Sequence, residues 1–113
     1  MKFAIQCRVM PGSLEALKAL RGRHLEYIEA HRDSIVIGGP SRDENGLPHT
    51  MIILLDVAGQ EEADAFIRQE PYTASGQVFE SVLVQPWSQV IPETAPGALR
   101  QAIENEQRNS QGE

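Results

Sequence analysis

The run HTMIILLDV, His49 to Val57, constrains the fold more than any other stretch of the chain. It is almost continuously apolar, so a strand built from it has no polar face to present to water. Such a strand belongs in the middle of a sheet, with both faces in use. The other periodic segments are then placed around it.

Lys2 to Val9 alternates Phe3, Ile5, Cys7 and Val9 against Lys2, Gln6 and Arg8, the period of a half-exposed strand, and Pro11-Gly12 ends it. Ser13 is an acceptable N-cap for a helix running to about His31. Its stripe is Leu17, Leu20, His24, Ile28 and His31, with Leu14, Arg21 and Leu25 in a neighbouring row. Gly22 in mid-helix costs about 1 kcal/mol relative to alanine, and a glycine so placed often marks close approach of another element. Ser34 to Pro40 is a short β-branched run closed by two glycines and a proline, a second strand. A polar loop with an Asn45-Gly46 turn signal leads into the central run.

A second helix is expected from about Gln60 to Gln69, burying Ala63, Phe66 and Ile67, with Glu61, Glu62 and Asp64 well placed near its positive end. Pro71 pushes Glu70 out of helical geometry, TASGQ reads as a short turn, and Val78 to Trp87 alternates as a fourth strand. From residue 92 the composition turns polar. Leu99 and Ile103 form only a weak helical pair, so 92–113 is expected as a tail that is partly helical or disordered, beside one domain over 1–91.

The order β-α-β-β-α-β gives an α+β, ferredoxin-like fold: an antiparallel sheet with two helices on one face. The second face has no helix to cover it yet carries Val, Leu and Phe. A second copy of the chain is its simplest cover, which predicts a homodimer through the open sheet face, a dimeric α/β barrel.

Sixteen acidic against ten basic residues leave a net charge of -6, with no basic cluster, so nucleic acid is excluded as a partner on charge. A single cysteine, Cys7, excludes an intramolecular disulfide and a Cys-rich zinc site. The N-terminus is too short and polar for a signal peptide and no stretch has the roughly 20 apolar residues of a membrane span, so the expected compartment is the cytoplasm.

The chemistry-bearing candidates are few. His24 faces the sheet, as either a core histidine or a base. His31 lies seven residues on, about 10 Å by helix rise, too far to share a metal with it, and no metal site is expected. Glu70-Pro71-Tyr72 poses a choice: Glu70 is either the last solvated residue of a helix, or a carboxylate aimed by the break at His24 as half of an acid-base pair. Asp33, near the end of the first helix, competes for that role or is a turn residue. Arg21 could hold an anionic group or be a solvated arm. No nucleophile elbow, phosphate loop or dinucleotide fingerprint is present, so no cofactor is expected.

Taken in order, Arg21-x-x-His24-Leu25, His31, Gly38-Gly39-Pro40, Glu62-Ala63, Glu70-Pro71-Tyr72 and a closing Pro86-Trp87 resemble the YciI-like (YCII-related) family over about residues 1 to 91. The resemblance implies a dimeric α/β barrel subunit related in architecture to muconolactone isomerases, and an active site built on the helix histidine and a nearby aspartate. A few members act on halogenated or hydroxylated aromatic breakdown products; most have no known reaction. By position the histidine is His24, and the aspartate of the family's Asp-Pro-Tyr motif is replaced by Glu70. The expected function is cofactor-free acid-base chemistry, an isomerisation or elimination, on a small anionic organic molecule. In it His24 and Glu70 are catalytic, and Arg21, Tyr72 and Asp33 bind substrate. The alternative is a non-catalytic ligand-binding or accessory dimer.

Overall fold

The computed structural model describes residues 1–111. Strand β1 is Lys2–Val9, helix α1 Leu14–Ala30, β2 Ile35–Arg42, β3 Pro48–Asp56, α2 Gln60–Gln69, α3 Pro71–Ser75, β4 Phe79–Pro86 and α4 Ala98–Gln111, with a 3-10 turn at Arg32–Ser34 before β2. The sheet order is β2-β3-β1-β4, all neighbours antiparallel, which is the ferredoxin-like arrangement. The apolar run forms β3, a central strand as its composition requires.

One face of the sheet packs against the helices. Phe3, Ile5 and Cys7 of β1, Met51, Ile53 and Leu55 of β3, and Ala63, Phe66 and Ile67 of α2 make the core. Burying each large apolar side chain is worth about 1.5–3 kcal/mol. On the other face Ile52 and Leu83 are exposed and Ile37 is 67 % exposed. In the single chain these three side chains stay exposed.

Ser13 occupies the N-cap position as expected, although its hydroxyl donates to the Met10 carbonyl at 2.6 Å and makes no cap bond. Three local expectations are corrected. A Cβ at Gly22 would meet nothing within 4 Å, so that glycine marks no close approach. The segment after Pro71 is a short helix, α3, where a turn is expected. Strand β2 also runs two residues beyond Pro40, because Ser41 and Arg42 still find partners in Thr50 and Pro48 of β3.

The tail forms α4 with no buried residue. The radius of gyration is 17.7 Å, against about 13 Å for a compact chain of this length. α4 therefore stands off the domain rather than docking on it; the last two residues of the tail lie outside the described residues.

Candidate functional site

Proline chemistry builds the site. Pro71 forces Glu70 to an extended conformation (φ -63°, ψ 132°), ending α2, and then serves as the first residue of α3. Glu70 thereby becomes the N-cap of α3, and its Oε2 accepts from the Thr73 backbone N–H at 3.2 Å. Gly76, in the left-handed conformation at φ +68°, closes α3 at the other end.

The second carboxylate oxygen of Glu70 accepts from His24 Nδ1 at 2.5 Å. Glu70 is 0 % exposed, and the His24 side chain only 14 %. The sequence alternatives at this corner therefore resolve: Glu70 is the interior partner of His24, and no solvated helix end. The Tyr72 ring stacks on the imidazole, centroids 4.1 Å apart and planes at 14°, and meets Phe79 edge-on at 5.8 Å. With Nδ1 donating to Glu70, the neutral imidazole has its lone pair on Nε2, which has no bond to another described residue.

A cavity of about 410 Å³ opens beside this cluster, between α1 and strands β2 and β3. Leu17, Leu25, Ile28, Met51 and Ile53 give it apolar walls, and His24 and Tyr72 one side. Among the described residues, Arg21 and Arg42 are its only permanently charged linings, and no Asp or Glu lines it. Gly38 lies on the strand wall, where an added Cβ would sit 3.6 Å from Ile53 and 3.7 Å from Ile35.

Burial, with the Glu70 charge second, pushes the Tyr72 phenol above its usual range, while Arg21 works the other way. Tyr72 therefore stays a neutral hydroxyl through ordinary pH. The same two causes push the Cys7 thiol up to about 12, so this cysteine is a core residue and poor nucleophile. Tyr27 is raised likewise, and its hydroxyl donates to the Phe66 carbonyl at 2.7 Å.

Of the residues singled out in the sequence, the fold brings together His24, Glu70, Tyr72 and Arg21. Asp33 lies exposed in the 3-10 turn and does not line the cavity. His31 packs on Tyr27 and Phe66 and hydrogen-bonds the Tyr27 carbonyl at 2.8 Å. His49 is paired with Thr50 on the surface. Arg42 escapes the sequence reading because the strand is taken to end at Pro40; an arginine two residues past an inward-facing Pro40 was the available signal. Among the described residues, no three His, Cys, Asp or Glu side chains group as metal ligands would. Nor is any helix long and apolar enough to cross a membrane.

Residues 1–88 match the profile of the YCII-related domain. No curated protein matches the chain. Among solved structures, the chain is similar to 5-chloro-2-hydroxyhydroquinone dehydrochlorinase from Burkholderia phenoliruptrix AC1100, in complex with 2,5-dihydroxybenzoquinone. The TM-score is 0.72 at 24% identity, over 82% of this chain and 99% of that one. It is also similar to a Bacteroides thetaiotaomicron protein provisionally classed as an antibiotic biosynthesis monooxygenase (TM-score 0.53, 13% identity, 84% and 93% covered). A third is a protein from Agrobacterium tumefaciens (0.51, 16%, 83% and 98%). At these identities the likeness establishes the fold.

Proposed function

The chain belongs to the YCII-related family, and from its buried His24–Glu70 pair we propose that it is a small-molecule enzyme working by acid-base chemistry, without a cofactor, on a small anionic organic substrate. The observation that carries this is the burial of Glu70. A fully enclosed carboxylate is costly, and well-packed apolar residues often serve stability as well or better. Its use is at His24: the carboxylate fixes the imidazole tautomer, leaves Nε2 as a base facing the cavity, and stabilises the imidazolium formed when Nε2 takes a proton.

In this scheme Arg21, one helical turn before His24, holds an anionic oxygen of the substrate. Tyr72 keeps the imidazole plane fixed and offers a neutral hydroxyl. The apolar walls exclude water from the reacting bond. Transfer of a substrate proton to His24 Nε2, with a group on the neighbouring atom departing with its bonding electron pair, is an elimination; return of that proton to another substrate atom is an isomerisation. The dehydrochlorinase that shares this fold acts on a chlorinated hydroxyhydroquinone, so ring compounds of that class are the first substrates to test.

We also propose that the exposed apolar sheet face around Ile37, Ile52 and Leu83 pairs with a second copy of the chain. The chemistry is assigned to the cytoplasm; one buried, un-ionised thiol suits a reducing compartment. The second reading, a non-catalytic binding or accessory dimer, draws on α4, which buries nothing and lies beyond the family match.

The test is turnover of chlorinated and hydroxylated ring compounds by wild type and His24→Gln. A drop of about 10²- to 10⁴-fold is expected. Equal turnover and equal binding by the two proteins defeat the proposal. Binding without turnover in wild type favours the second reading.

A further inference from the structure

We infer that Arg42 is a second anion anchor of the cavity, and that the site is built for a flat ligand with two acidic groups, one held by Arg21 and the other by Arg42. This rests on the proposed anion-binding role of the cavity and specifies its ligand.

The two arginines come from opposite walls. Arg21 lies on α1 one turn from His24. Arg42 is the last residue of β2, whose Gly38, Gly39, Pro40 and Arg42 line the cavity. At about 3.3 Å per strand residue, the strand wall runs some 13 Å from Gly38 to Arg42. Glycine at one end and guanidinium at the other leave a slot, open where a side chain would stand and cationic where it meets solvent. Nothing in the backbone demands glycine at 38: its φ lies outside the positive region in which Gly12, Gly46, Gly76 and Gly97 sit. What its missing side chain supplies is space beside Ile53 and Ile35.

Charge points the same way. The chain carries a net charge of -6, yet among the described residues no carboxylate lines this cavity and neither arginine has a carboxylate partner. Arg42 is positioned: its Nη1 donates to the Gly46 carbonyl at 3.0 Å, across the turn that Asp43 pins by accepting from the Asn45 and Leu47 N–H groups. One of its five donors is thus used, and four remain for a ligand. A singly charged ligand leaves one of the two guanidinium groups without an anion, and a neutral ligand leaves both. A ligand acidic at both ends, on an apolar body between the apolar walls, uses both.

The probes are benzoate, isophthalate and terephthalate, which share a ring and differ in the number and placement of carboxylates. Binding to the full-length protein is measured by calorimetry at fixed salt. At least one dicarboxylate is expected to bind about 10-fold or more tighter than benzoate, the effect of one further charged hydrogen bond. Arg42→Gln should erase that preference and leave benzoate unchanged, Arg42→Lys should keep part of it, and Arg21→Gln should weaken all three. Gly38→Val, filling the slot, should weaken all three with the thermal midpoint retained. An equal affinity for one and two carboxylates, a preference that survives Arg42→Gln, or no binding of any probe overturns the inference. The His24–Glu70 chemistry is judged separately, by the turnover of His24→Gln against wild type, so loss of the dicarboxylate preference and loss of the acid-base reading are distinguishable.

Discussion

Glu70 is the one residue that both starts α3 and fixes His24: one carboxylate oxygen caps Thr73 and the other takes the Nδ1 proton. A backbone device and a side-chain device are thereby locked to each other. Any change that moves the helix start moves the base.

Glu70→Gln keeps a cap acceptor and removes the charge. Turnover should fall by about 10²- to 10⁴-fold in the variant, with its circular dichroism unchanged, because the imidazolium formed at His24 loses its carboxylate partner. Unchanged turnover means that the pair does not carry the proton transfer.

Glu70→Asp restores the residue type of the family motif on a backbone fitted to the longer arm. The carboxylate withdraws by more than about 1 Å and cannot serve Thr73 and His24 together, so turnover should drop by about 100-fold. Glu70→Ala loses both contacts; lost cap and orphaned imidazole together should cost about 2–4 kcal/mol in chemical denaturation. A loss below 1 kcal/mol contradicts the double role.

Cys7 gives the pH dependence of stability. Its thiol is held up to about 12 in the folded chain against 9.0 unfolded, so between these values the folded state keeps a proton that the unfolded state has released. Stability contributed by the thiol is full below pH 9 and is lost as pH rises towards 12. Tyr72 and Tyr27, also raised, act in the same direction. Cys7→Ala should be less stable at pH 7 but flatter across this window in urea melts; a parallel loss in both proteins contradicts the assignment.

Ile52→Lys and Leu83→Lys place charge on the apolar sheet face, away from the cavity. Sedimentation should find wild type dimeric and the variants monomeric, with unchanged circular dichroism. A monomeric wild type removes the proposed sheet-to-sheet pairing.

Truncation after Ile91 removes α4, which buries no residue in the domain. The thermal midpoint should move by no more than 1–2 °C if α4 has no partner. A larger drop that depends on protein concentration places α4 in the interface between copies.

Much of this protein is fixed by short-range pattern. Alternation in Lys2–Val9 puts Phe3, Ile5 and Cys7 into the core, and the apolar run of β3 sits at the centre of the sheet, because a strand's period of two leaves no other place for them. Pro71 sets the break at Glu70 by local sterics alone. The rest required the tertiary structure. Whether Glu70 or Asp33 meets His24 is a question about residues 46 and 9 positions away, and only the packing of α3 against α1 brings Glu70 within 2.5 Å. Arg42 joins the cavity because β3 continues to pair with β2 past Pro40, a matter of register between strands. Sequence period decides which face a residue takes. Which residues then share a cavity depends on contacts between distant segments, which no local period encodes.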